Sequence, residues 1–174
     1  LDKSLINLNM ERVDLFLLHS QLRQDDFQLY TLNEHRETNT TSLSCYYNAV
    51  IPAFERLKQE GKIGSWGIGG LGQNQAILEA LNHEIQPEAI QCVVNPLNSA
   101  GAIGYVDQDF DPQKILTESQ KVGIPILGIR AVQAGALTLK MDREPHPSGF
   151  DIRDFEDYDK AEPFRKLASE WNMN

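Results

Sequence analysis

Long hydrophobic runs are missing from this sequence of 174 residues. No stretch approaches the roughly 18 consecutive apolar residues that a membrane-spanning helix needs. No basic segment followed by an apolar one opens the chain, so no signal peptide is visible. Cysteine is scarce: Cys45 and Cys92 lie far apart and form no disulfide framework or metal-ligand spacing. Cys92 sits in an apolar run and is expected to be buried and reduced. Positive charge is short as well, with 16 Lys and Arg against 25 Asp and Glu, a net charge of −9. That balance disfavours nucleic acid, because phosphate binding needs clustered cations. It leaves room for an anionic cofactor held by local backbone N–H groups. A cytoplasmic location, without membrane or nucleic-acid partners, is the expectation.

What is present is ordinary globular material, 41% hydrophobic and 24% charged. It suffices for one domain with a core over residues 1–174. Four apolar runs have strand length: Val13 to Leu18, Ile63 to Ile68, Ala89 to Val94 and Ile124 to Ile129. Their lack of polar interruption suits parallel strands covered by helices. Helical spacing of apolar residues marks Leu1 to Leu8, Val50 to Gln59, Asn74 to Leu81, Pro112 to Lys121 and Pro163 to Trp171. Gly61 and Gly123 follow two of these segments as stops, and Pro112 opens one. Strict alternation implies parallel strands with right-handed crossovers, in a doubly wound sheet or in part of a closed barrel. The long polar segment 20–48 and the connection from Leu139 to Asp159 both follow C-terminal strand ends, where active sites gather in either architecture.

Few residues offer chemistry. His19 ends the first strand, where a histidine can polarise a carbonyl or shuttle a proton, or simply hydrogen-bond at the strand end. Gln91 lies in the third strand on the side of Val93 and Asn95. Its amide can pair with a planar carboxamide or be satisfied by buried neighbours. Gly67 to Gly72 reads as a tight strand-to-helix turn, since its spacing is not that of a dinucleotide fingerprint. Asp14 faces away from His19 by strand parity and reads as structural. The acidic run Asp151 to Asp159 reads as a solvated loop face.

Several segments in order resemble the aldo-keto reductase family. Ser4 to Ser20, ending Val-Asp-Leu-Phe-Leu-Leu-His-Ser, resembles its helix and fourth strand. Ala53 to Gly67, containing Glu-Gly-Lys-Ile, is similar to the family's next helix and strand. Gln91-Cys-Val-Val-Asn-Pro-Leu-Asn98 and Gly123 to Thr138 are similar to the segments that follow. The resemblance implies about strands four to seven of an eight-stranded (β/α) barrel. It also implies NADPH as cofactor and reduction of small aldehydes, ketones or sugar-like carbonyls. The family's catalytic Tyr, Lys and Asp would lie upstream of Leu1, and its adenosine-phosphate site beyond Asn174. Its carbonyl-orienting His maps onto His19 and its carboxamide-holding Gln onto Gln91. Arg130 and Val132 stand in the turn that would wrap the cofactor.

Two departures accompany the resemblance. Gly69-Gly70 replaces a Ser-Asn pair, and Ile129 replaces the aromatic residue that often stacks on nicotinamide. The implied activity is carbonyl reduction, with residues 1–174 inactive by themselves. The alternative is a nucleotide- or protein-binding relative that has lost turnover.

Overall fold

The computed structural model describes residues 1–28 and 38–173. Helix α1 (Asp2–Leu8) ends at Asn9 in the left-handed conformation and turns the chain into strand β1 (Val13–Leu18). Two short strands, β2 (Gln21–Arg23) and β3 (Thr40–Ser42), pair in parallel. A single helical turn, Leu43–Cys45, and a π-helical stretch, Tyr46–Val50, run on into helix α2 (Ile51–Gln59). Then follow β4 (Ile63–Gly69), α3 (Asn74–Leu81), β5 (Ala89–Val93), α4 (Pro112–Val122) and β6 (Ile126–Ile129). Helices α5 (Ile152–Lys160) and α6 (Glu162–Glu170) follow the last strand.

The main sheet has the order β1-β4-β5-β6, every pair parallel. These are the four expected apolar runs, side by side in chain order. A doubly wound sheet reverses order at a switch point; a barrel wall does not. The architecture is that of a (β/α) barrel segment.

Side chains alternate across a strand, so each strand splits its residues between two faces. Phe16, Leu18, Trp66, Ile68, Ile90, Cys92 and Ile126 pack in the cluster that also holds Ile51 and Phe54 of α2, four residues of α3, and Ile115 of α4. That is the helix-covered face. The opposite face carries Leu15 and Leu17, then Gly67 and Gly69, then Gln91 and Val93, then Leu127 and Ile129, as the register pairs them. By the same parity His19, one residue past β1, belongs to this inner face.

Local chemistry explains the helices. In α3 the residues Ala76, Ile77, Ala80 and Leu81 are fully shielded from water. Burying Ile77 and Leu81 is worth on the order of 1.5–3 kcal/mol each. Helix α4 starts on Asp111, whose side chain accepts from Gln113 N–H at 3.0 Å, with Pro112 at its first position. It stops at Gly123, whose φ of +76° makes a left-handed cap. Trp66 fills the space beneath α2, with its ring 5.7 Å from Phe54 and its indole N–H donating to Glu55.

The structure corrects two expectations. The run Asp151 to Asp159 is not a solvated loop face. It forms most of α5, and Asp151, Asp154 and Asp157 are 3%, 4% and 1% exposed. Gly67 to Gly72 is not simply a turn, because β4 continues through Gly69 and Gly72 bridges to Leu22. A Cβ on Gly72 would sit 2.2 Å from the Leu22 carbonyl oxygen, and its φ is +126°, so only glycine allows this approach. The polar segment 20–48 holds β2, β3 and the start of the helix leading into α2; its part over 29–37 lies outside the described residues. Among the described residues no helix is long and apolar enough to cross a membrane.

Candidate functional site

A cavity of about 350 Å³ opens at the C-terminal ends of the main strands. His19 enters it just past β1, Gly69 from the last position of β4, Gln91 from β5 and Ile129 from the last position of β6. All four follow from inner-face parity, and the parallel register then sets Gly69 beside Gln91. His19 is exposed and Gln91 half-buried, so both can meet a ligand. The structure thus brings together the two residues expected to carry chemistry.

The expected turn residues sit differently. Val132 is exposed and does not line the cavity. Arg130 adopts a left-handed φ of +56° and does not line the cavity. Its Nε donates to Gln133 Oε1 at 2.9 Å, and its Nη2 forms an ion pair with Asp154. The backbone of this turn, rather than the Arg130 guanidinium, is what remains available on that side.

The Gly69-Gly70 departure has a packing reason. Gly70 N–H donates to the Gln91 carbonyl oxygen at 2.6 Å, and a Cβ on Gly70 would meet that same oxygen at 2.6 Å. The close approach ties the Gly70 backbone to that of Gln91 and leaves no room for a Cβ at position 70. Ile129 presents an aliphatic wall where an aromatic ring was the family expectation.

Three contributors were not legible in advance. Gln21 of β2 lines the cavity, together with Ile103 and Tyr105 from the connection between β5 and α4. That connection is held from behind by α5. Asp154 accepts from Ala102 N–H at 3.0 Å and pairs with both Arg130 and Arg143. Asp157 accepts from Ser99 Oγ and Gln133 Nε2 and pairs with Lys160. Asn95 Nδ2 donates to Gln133 Oε1 at 3.1 Å. Asp151 takes the backbone N–H of His146 at 2.9 Å and the guanidinium of Arg143. Burial alone would raise the Asp151 carboxyl pKa, but these donors outweigh it and leave the pKa below the usual carboxylate range. One face of α5 therefore clamps the loop after β5 to the turn after β6, the two segments that border the cavity. A sequence signal existed in the i, i+3, i+6 spacing of the three aspartates.

The sequence pattern of the Aldo/keto reductase family matches residues 1–174. The chain belongs to this family. Among solved members, an aldo-keto reductase of Bombyx mori in complex with NADP is 16% identical, covering 98% of this chain and 44% of its own, with a TM-score of 0.50. An aldo/keto reductase from Klebsiella pneumoniae, in complex with NADP and acetate, is 20% identical over 81% of this chain and 38% of its own, with a TM-score of 0.48. The likeness is one of fold, and the chain spans about two fifths of the length of these family members. No curated protein matches the chain.

Proposed function

We propose that the protein is an NADPH-dependent reductase of small aldehydes, ketones or sugar-like carbonyls. The observation that carries this reading is that His19 and Gln91, from two strands with β4 between them, line one cavity at the C-terminal strand ends. The family membership and the NADP in the Bombyx mori relative support the same cofactor here. The cavity residues fit the nicotinamide end. Gln91 offers one acceptor and two donors to a carboxamide, Ile129 gives the ring an apolar wall, and Gly69 leaves it room. Bound NADPH supplies hydride. His19 orients the carbonyl by donating a hydrogen bond to its oxygen. The turn from Arg130 to Val132 would hold the dinucleotide beyond the ring. The two unpaired cysteines fit a reducing compartment, and the cytoplasm is the proposed setting.

Gly69 and Gly70 favour a second reading, because neither brings a side-chain donor to the carboxamide. On that reading the protein binds nucleotide without turnover. NADPH fluorescence titration of the intact protein, followed by NADPH oxidation with a panel of aldehydes, separates the two. The reductase reading expects both binding and oxidation, with Gln91→Ala weakening binding by about 1–3 kcal/mol. Binding without oxidation supports the second reading, and neither overturns both.

A further inference from the structure

The connection from β5 to α4 passes between two cavities. Ile103 and Tyr105 line the one that holds His19 and Gln91. Gly101 and Gly104 line a second, of about 210 Å³, shared with Arg153, Glu156 and Lys160 of α5. Residues 101–105 are therefore a partition, and side chains hold it from both sides. Towards α5, the Ala102 N–H donates to Asp154 Oδ1 at 3.0 Å, and the Gly104 carbonyl accepts from Arg153 Nη1 at 3.1 Å. Gly101 has a φ of +54°, and a Cβ there would stand 2.1 Å from Asp154 Oδ1, so α5 sits directly against the backbone. Towards β2, the Ile103 carbonyl accepts from Gln21 Nε2 at 3.1 Å.

The two sets of contacts pull in opposite directions. A close-packed segment resists displacement because its neighbours leave it no room, whereas this one has open volume on either side. Without Gln21, residues 101–105 are drawn towards α5 and settle into the second cavity, and the main cavity gains that volume. Without Arg153, they are drawn towards Gln21, and the main cavity does not grow. We propose that Gln21 is a specificity-determining residue that acts through Ile103: by holding the partition forward, it limits the bulk of the carbonyl substrate. It positions the wall and does not itself touch the ligand. The word substrate rests on the reductase reading; the placing of the wall does not.

NMR titration of the intact protein with 1-propanol and 3-phenyl-1-propanol, followed at the Ile103 and Gln91 amides, reads this without turnover. Gln21→Met, close in size but without the donor, should raise affinity for the bulkier alcohol relative to the smaller by about 5-fold, the worth of one neutral hydrogen bond. Arg153→Met should leave that ratio at the wild-type value or lower it. A merely loosened loop would move the ratio the same way in both variants, so a rise in both overturns the proposal. An unchanged ratio in Gln21→Met overturns it too, as does the absence of binding by either alcohol in wild type and variants. Should Gln21→Met fail to fold, Gln21→Leu takes its place in the same comparison. In turnover, the kcat/KM ratio of 3-phenylpropanal to propanal should follow the alcohol ratio. A shifted alcohol ratio with no reduction of any aldehyde would leave the partition standing and remove the reductase reading.

Discussion

Arg130 and Asp154 form an ion pair that ties the turn after β6 to helix α5. Both side chains are largely buried, and both have further partners: Arg130 holds Gln133, and Asp154 holds Ala102 and Arg143. Because Ala102 is adjacent to Ile103, and Ile103 receives the Gln21 amide, the clamp and the cavity share one loop. The left-handed backbone at Arg130 is sustained by this pairing, since a non-glycine residue pays for that conformation.

Removing the carboxylate should expose how much rests on it. Asp154→Ala leaves two guanidinium groups short of a partner, and breaking a buried pair of this kind costs about 3 kcal/mol. Urea denaturation of the intact protein should show that loss, with Asp154→Asn falling between the variant and wild type. A change within a few tenths of a kcal/mol would mean that the clamp is not structural.

Acid should loosen the same helix. The carboxyl pKa of Asp151 is lowered in the folded state because the donors from His146 and Arg143 outweigh its burial. A depressed pKa stabilises the fold above the unfolded value, near 4, and the contribution fades as pH falls through the folded value. Stability followed by denaturation should therefore drop below about pH 4. In Asp151→Asn the protein should be weaker at neutral pH and less sensitive to that drop.

The two thiols should separate by reactivity. Burial pushes the Cys92 thiol up to about 11, against a small opposing hydrogen bond with Ser119, while Cys45 is exposed. Since the thiolate is the reacting form, an alkylating reagent at mildly alkaline pH should label Cys45 in the native protein. Cys92 should follow only on unfolding. Equal labelling rates in mass spectrometry would contradict the buried placement of β5.

His19→Ala tests the proposed chemistry. His19 is on the inner face and lines the cavity, whereas Arg130 and Val132 of the turn after β6 do not. Its loss should lower kcat in the intact protein by about 10²-fold, the size expected when one hydrogen-bond donor to an oxygen that develops charge is removed. NADPH affinity should remain close to that of wild type. Steady-state kinetics paired with fluorescence titration reads both, and unchanged kcat on the best substrate would remove His19 from the reaction.

The sequence by itself determined the four main strands, the helices between them and the inner-face parity of His19 and Gln91. These follow from hydrophobic period and stop signals, which act within a few residues and are written in the chain. It also carried the family resemblance, because the segments keep their order. The fate of the three aspartates was decided only in three dimensions. Charges at i, i+3 and i+6 look the same on a solvated face, and here Arg130, Arg143, Gln133 and Ser99 arrive from other elements to bury them. Gln21 was invisible for the same reason. Its partner, Ile103, lies 82 residues away, and a glutamine in a polar stretch gives no local sign that folding will bury it against that carbonyl.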